Sequence, residues 1–255
     1  MKTRGGISTA LLLTAGVVLG GCGARSKPGA LAIAAAADLQ FALEEGAAAF
    51  HLEHPEIDVK VTYGSSGNFY QQIRNGAPFE IFLSADAQYP RNLAKDGLAP
   101  GGVFNYADGR IVVWVPAASK LDPATALRDS SVQHISIANP AHAPYGRAAE
   151  AALHSMGIYE AVQPKLVVAE NISQAFQFAQ SGAAEVGIVA LSLASAPAAR
   201  DQGRFWEVPP DAYPKIEQAG AILKDSPAAH QFRDWLTGAP GHTLLLKYGF
   251  SLPGN

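Results

Sequence analysis

Val61-Thr62-Tyr63-Gly64-Ser65-Ser66-Gly67-Asn68 is a strand signal that runs into a tight turn, and a helical pattern begins directly after it. Because the turn consists of glycine and serine, its backbone N–H groups and hydroxyls are free to converge at the positive end of a helix dipole. The turn contains no Lys, Arg or His. The stretch therefore predicts an anion site built from neutral donors.

Strand and helix signals alternate on both sides of this stretch. Short apolar runs such as Ile81-Phe82-Leu83, Arg110–Val115 and Val186–Val189 are separated by amphipathic helical patterns. This alternation predicts an α/β fold of mostly parallel sheets flanked by helices, in which ligands bind beyond the carboxyl ends of the strands.

Two extended segments, Asn105–Gly109 and Tyr213–Gly220, are predicted to carry the chain between two lobes. One lobe would then consist of residues 30–108 and 221–255, and the other of residues 109–220.

The N-terminal segment reads as an export signal. Lys2 and Arg4 precede an apolar run, Ala10–Val18, that is too short for a transmembrane span. Leu19-Gly20-Gly21-Cys22 resembles the lipobox of bacterial lipoproteins. It implies that residues 1–21 are removed, that Cys22 is lipidated, and that residues 22–29 form a tether holding the protein to the outer face of a membrane.

Composition narrows the classes of function. The chain has 255 residues, 48% of them hydrophobic, so it can bury a sizeable core, and its one cysteine allows no internal disulfide. Removal of Lys2 and Arg4 leaves 17 basic against 22 acidic residues, a net charge of −5. A mildly acidic chain is a poor nucleic-acid binder, and we expect a monomer.

Four turns between a strand and a helix share the same small, polar character. Each offers unpaired N–H groups at a helix start, although small residues there are also typical of simple helix caps. The turns are Ala34–Asp38, Gly64–Gly67, Asn139–Gly146 and Glu170–Ser173. Two would lie in each lobe, so a ligand between them would be held from both sides.

The chain resembles the periplasmic molybdate-binding proteins of ABC importers. The resemblance is carried by Tyr63–Asn68, Gly76-Ala77-Pro78, Phe82–Asp86, Pro140–Pro144 and Lys247–Phe250. It implies a type II periplasmic-binding-protein fold with two interlobe crossings, closing over a tetrahedral oxyanion such as molybdate or tungstate. It also implies delivery to a permease and its ATPase, no cofactor and no enzymatic activity.

The resemblance assigns oxyanion-binding roles residue by residue. Ser66 would donate its hydroxyl and its N–H group, and Tyr145 and Ile172 would donate N–H groups. Ala37 and Asp38 would contribute the N–H groups of the first turn. All these donors would contact oxygen atoms of molybdate, so the protein would not bind the molybdenum atom directly. Four further candidates lie in these turns or just after the Gly187-Ile188-Val189 strand: Ser65, Gly67, Asn171 and Ser192. Ala190 stands where some members have a tyrosine hydroxyl.

Asp38 departs from the family pattern, because some members have serine there and a carboxylate repels a dianion. Three interpretations are open. The side chain could turn outward as a helix cap, it could accept a proton from a phosphate-like or phosphite-like ligand, or it could itself be protonated when the cleft closes.

Other functions have weaker support. A serine hydrolase would need one more residue between Gly64 and Gly67 and a histidine partner, and His142 is interpreted as a loop residue. No His, Cys and carboxylate spacing predicts a metal-cation site. An organic-solute receptor would use aromatic residues such as Tyr63, Phe69 and Tyr145.

Overall fold

The computed structural model describes residues 30–254. The predicted signal peptide, the lipidation site at Cys22 and the tether up to residue 29 lie outside these residues. The strands are β1 (Leu31–Ala36), β2 (Val59–Gly64), β3 (Ile81–Ser84), β4 (Val103–Gly109), β5 (Ile111–Pro116), β6 (Ile135–Ala138), β7 (Leu166–Ala169), β8 (Val186–Ala190), β9 (Gly203–Glu207) and β10 (Ile216–Ile222). The α-helices are α1 (Gln40–Glu53), α2 (Ser66–Arg74), α3 (Gln88–Lys95), α4 (Pro144–Ser155), α5 (Tyr159–Val162), α6 (Ile172–Gln180), α7 (Leu191–Ala194), α8 (Pro227–Thr237) and α9 (Ala239–Lys247).

The strands form two five-stranded sheets, one in each lobe. Their orders are β2-β1-β3-β10-β4 and β7-β6-β8-β5-β9. In each sheet two neighbouring pairs are parallel and two are antiparallel, so the sheets are mixed rather than mostly parallel. The antiparallel strands β4, β5, β9 and β10 flank the crossings, where no helical connection is needed to reverse direction.

The chain crosses between the lobes twice. It leaves the first sheet after Gly109 and enters the second at Ile111, and it returns before Ile216. Because β10 pairs with β3 and β4, residues 216–220 belong to the first lobe, and the second boundary lies before Ile216 instead of at 220.

Aromatic packing fixes the C-terminal helices to the first lobe. Phe50 of α1 meets Phe232 and Trp235 of α8 edge to face, with ring centroids 5.2 and 5.9 Å apart. Gly46 lets α9 approach, since a Cβ atom there would lie 2.7 Å from Leu244. These helices therefore close the first lobe although they follow the second lobe in sequence.

Strand register places the four predicted turns in pairs. Ala36 of β1 lies beside Gly64 of β2, and Ala138 of β6 lies beside Ala169 of β7. The following turns therefore emerge side by side at the carboxyl edge of each sheet. Within residues 30–254, none of the helices combines the length and the apolarity that a membrane span requires.

Candidate functional site

A small cavity between the lobes collects the helix starts that the sequence predicts. Its lining comes from all four turns and from the end of β3. The lining residues are Ala36, Ala37, Asp38, Gly64, Ser65, Ser66, Ala85, Ala143, Pro144, Tyr145 and Ile172. The cavity thus brings together the five principal predicted residues, three from the first lobe and two from the second.

Ser66 presents a hydroxyl that is oriented by its surroundings. The residue is fully buried, and its Oγ accepts the N–H of Ala85 at 3.0 Å. Because Oγ is the acceptor in this bond, its own proton is left to be donated elsewhere. The same residue begins α2, where the first N–H groups have no acceptor within the helix.

Tyr145 and Ile172 lie at helix starts, where backbone N–H groups have no acceptor within the helix. Tyr145 is the second residue of α4, after Pro144, and Ile172 is the first residue of α6. In the first lobe, Ala37 and Asp38 open a short 3₁₀ turn that continues into α1. Four helix starts thus point their positive ends at one cavity.

The lining contains no Lys, Arg or His, and Asp38 is its one charged side chain. Across residues 30–254 there is also no group of three His, Cys, Asp or Glu residues placed to hold a metal ion. The positive potential in the cavity therefore comes from the helix starts, which can hold an anion through neutral donors. Its aromatic lining is limited to Tyr145, whose hydroxyl is engaged elsewhere, so no stacking surface for a sugar or an amino acid is present among the lining residues.

The Asp38 side chain is not a helix cap, and it does not turn outward. It is 1% exposed and makes no capping hydrogen bond. Its Oδ2 accepts the Tyr145 hydroxyl at 2.8 Å and the Gln218 side-chain amide at 2.6 Å. Burial raises the pKa of Asp38 to about 6, and the hydrogen bonds from Gln218 and Tyr145 oppose this shift. Asp38 is thus part of a polar network between the lobes, which the sequence did not predict.

The Ser65 hydroxyl and the Gly67 N–H group contact the opposite lobe. Ser65 Oγ lies 2.9 Å from Nδ1 of His142, and the Gly67 N–H donates to the His142 carbonyl at 2.9 Å. A Cβ atom at Gly67 would lie 2.6 Å from that carbonyl oxygen, so only glycine allows this approach. His142, interpreted as a loop residue, is therefore an interlobe contact. Glu170 lies 3.8 Å from its Nε2, too far for the hydrogen bond that would orient a catalytic histidine.

Asn171 and Ser192 support the site from outside the cavity lining. Asn171 caps α6, its side chain accepting the N–H of Gln174 at 3.0 Å. Ser192 donates its hydroxyl to the Asp38 carbonyl at 2.8 Å, across the lobes. Their side chains hold the neighbouring helix starts in position.

Polar contacts join the two lobes around the cavity. Asn68 donates to Glu170, and Ser173 donates to Gln40 at 2.7 Å. Arg147 also pairs with Asp86. The lobes are thus joined by several polar pairs, in a closed arrangement.

Comparison with known proteins gives one consistent result. A family model described as bacterial extracellular solute-binding protein matches residues 31–251. The molybdate-binding protein ModA of Rhodobacter capsulatus is 38% identical over 247 residues, covering 95% of this chain and 94% of the relative. A putative ABC transporter substrate-binding lipoprotein of Bacillus subtilis is 26% identical over 250 residues, covering 94% of this chain and 95% of the relative.

A solved structure agrees with this result. The periplasmic molybdate-binding protein of Azotobacter vinelandii superimposes with a TM-score of 0.81 at 35% identity, covering 88% of this chain and 99% of that structure.

Proposed function

The chain belongs to the bacterial extracellular solute-binding proteins, within the group that binds molybdate, and on that premise we propose that it captures molybdate or tungstate between its lobes. Proteins of this group are binding components of transport systems, so the chain is not an enzyme. The oxyanion would be bound through Ser66, through the N–H groups of Ala37 and Asp38, and through those of Tyr145 and Ile172. No cofactor is required.

One observation carries this proposal: four helix starts converge on a buried cavity whose lining contains no cation. Molybdate and tungstate are fully ionised at neutral pH, so they accept hydrogen bonds and need no acceptor in return. Hydrogen bonds to a charged group contribute roughly 1.5–3 kcal/mol each. Micromolar binding corresponds to a binding free energy of roughly 8 kcal/mol. Several such hydrogen bonds together can supply it, even after the free-energy cost of closing the lobes.

A receptor for a protonated oxyanion, such as hydrogen phosphate or phosphite, is the second candidate. It is favoured by Asp38 Oδ1, which is buried without a hydrogen-bond partner and is able to accept a proton from such a ligand. The carboxylate would then select for ligands that carry a hydroxyl group.

We place the protein outside the cytoplasm, as a monomer that delivers its ligand to a membrane permease driven by an ATPase. The lipobox-like Leu19–Cys22 would attach it to the membrane, and the lipoprotein named among its relatives supports this reading. Expression of the full chain with labelled palmitate should label the wild type and leave Cys22→Ser unlabelled. Equal labelling of both would refute the anchor without affecting the binding proposal.

Calorimetry of residues 29–255 with five sodium salts tests the binding proposal. Molybdate and tungstate should bind saturably at a ratio of one to one, and sulfate at least tenfold more weakly, because its shorter bonds cannot reach all the donors at once. Tighter binding of phosphate or phosphite would favour the second candidate. Saturable binding of none of the five anions would refute both.

A further inference from the structure

The Asp38 carboxylate accepts hydrogen bonds from both lobes, and one of them comes from β10, the strand that follows the second crossing. Asp38 lies in the first lobe, Tyr145 approaches from α4 in the second, and Gln218 lies on β10. Gln218 also donates to the Tyr145 hydroxyl at 3.0 Å, so the three side chains form one triangle. Opening the lobes would separate Tyr145 from the other two.

The backbone at Gly109 packs directly against this triangle of side chains. A Cβ atom at Gly109 would lie 2.2 Å from the Tyr145 hydroxyl and 2.9 Å from the Gln218 amide nitrogen. Glycine at the first crossing therefore allows the three side chains to meet. The Tyr145 hydroxyl and the Gln218 amide both donate to Asp38 Oδ2, and Asp38 Oδ1 remains buried without a hydrogen-bond partner.

The groups that face Asp38 supply no positive charge. Tyr145 from α4 and Tyr106 from β4 are its titratable neighbours, and burial raises the pKa of both phenols well above the usual range, an effect that the nearby Asp38 reinforces. From α7 it meets only the Ser192 hydroxyl, which donates to its carbonyl. The packed helix α6 contains no charged residue, and the one lysine of β2, Lys60, lies at the far end of that strand beside Ala32.

An ionised Asp38 and a bound anion are therefore poorly tolerated together in this cavity. An ionised Asp38 beside a bound dianion would place like charges in a buried site, where their repulsion is only weakly screened. A proton added at Oδ1 removes that repulsion and gives the unpartnered atom a hydrogen to donate. The proton comes from solvent, and no other bond is made or broken.

We propose that Asp38 takes up a proton when the lobes close on a dianionic ligand, so that one proton is bound with each molybdate or tungstate. This inference rests on the proposed function. Asp38 then limits affinity at alkaline pH and favours binding in mildly acidic surroundings.

The direction of the pH dependence follows from linkage. In the closed structure without an anion, burial already raises the pKa of Asp38 to about 6, and a nearby dianion raises it further. In an open cleft the carboxyl is solvated and has an ordinary pKa, about 3.9. Between these two values the complex binds more protons than the open protein, so affinity falls by up to tenfold per pH unit as pH rises, and it levels off above the pKa in the complex.

Calorimetry with molybdate at pH 6, in buffers of different ionisation enthalpy, measures the protons taken up on binding. Wild-type protein should take up at least about half a proton per molybdate at pH 6, and the uptake should disappear at high pH. Asp38→Asn, whose amide can replace the protonated carboxyl, should take up none, and it should bind more tightly than wild type at pH 9.

Two further variants make the test specific. Tyr145→Phe removes a donor that stabilises the carboxylate, so the pH midpoint of proton uptake should move upward. Asp86→Asn removes another interlobe carboxylate, the partner of Arg147, and should leave the proton uptake in place. If Asp38→Asn does not fold, the shift in Tyr145→Phe decides the question.

The outcomes separate this inference from the function on which it rests. Saturable binding with no proton uptake at pH 6 would overturn the role of Asp38 and leave the oxyanion receptor intact. Proton uptake that persists in Asp38→Asn would overturn it equally. Absence of saturable binding would overturn both.

Discussion

Ser66 illustrates how one hydroxyl can be tested separately from the rest of the fold. Ser66→Ala should weaken molybdate binding about 10- to 100-fold, because it removes one hydrogen bond to a charged ligand, worth roughly 1.5–3 kcal/mol. Calorimetry measures the change. Ser136→Ala is the matched control, since Ser136 is equally buried but donates to the Ala175 carbonyl in the second lobe. A loss of similar size in both variants would argue against direct contact of Ser66 with the ligand.

Asp38 also makes the stability of the closed protein depend on pH. Its carboxyl has a pKa of about 6 when the lobes are closed and 3.8 when the chain is unfolded, so it stabilises the closed protein fully below pH 3.8, and this stability is lost as pH rises through 6. The loss reaches about 3 kcal/mol at most, and it disappears when the lobes open because opening returns the carboxyl to solvent.

Asp38→Asn should therefore match wild type in urea unfolding at pH 4 and, with the lobes held closed by bound molybdate, exceed its free energy of unfolding at pH 8. The exposed Asp211 provides the control, and Asp211→Asn should show no such pH-dependent gain. An equal gain for Asp38→Asn at both pH values would contradict the assigned ionisation.

Local sequence could predict the donors but not the network behind them. Ser66 and Ile172 follow strands within about three residues and Tyr145 within about seven, so the turns that hold them are visible in sequence. The partners of Asp38 lie 107 and 180 positions away, and nothing local connects Asp38 with Tyr145 or Gln218. The helix-cap interpretation of Asp38 was therefore the natural one from sequence, and it was wrong.

At the scale of elements, the start of α6 carries a testable share of the site. Asn171 caps this helix and thereby positions the Ile172 N–H. Asn171→Ala should lower the free energy of unfolding by about 1 kcal/mol and also weaken molybdate binding severalfold. Ser226 caps α8 far from the cavity, so Ser226→Ala should cost similar stability without loss of affinity. If the two variants bind equally well, the start of α6 does not contact the ligand.

Two strands lack the apolar runs from which strands are predicted, because they contain polar residues. β9 (Gly203–Glu207) contains Arg204 and Glu207 at an exposed edge, so it lacks an apolar run. The beginning of β10 contains Glu217 and Gln218, and the latter is buried because it serves the interlobe network. Periodicity identifies strands that bury apolar residues, and it does not register strands whose polar residues have distant partners.

At the scale of the whole molecule, binding and closure should be a single event. Gly67→Ala places a methyl group 2.6 Å from the His142 carbonyl oxygen, which the closed arrangement cannot accept without a shift. Small-angle scattering should show that molybdate reduces the radius of gyration of wild-type protein but not of this variant, whose affinity should fall at least tenfold. Ser65→Ala removes a contact to the same histidine without adding bulk and should still close. Normal closure of Gly67→Ala would mean that the lobes meet differently in solution.

The division of the cavity between the lobes has a consequence for unloading. Two of the four helix starts belong to each lobe, so a separation of a few ångströms removes half of the donors at once. If a total of about 8 kcal/mol divides evenly, each half alone holds the anion with about 4 kcal/mol, which is millimolar instead of micromolar binding. A transporter that merely pulls the lobes apart would therefore release the cargo without competing for any single hydrogen bond.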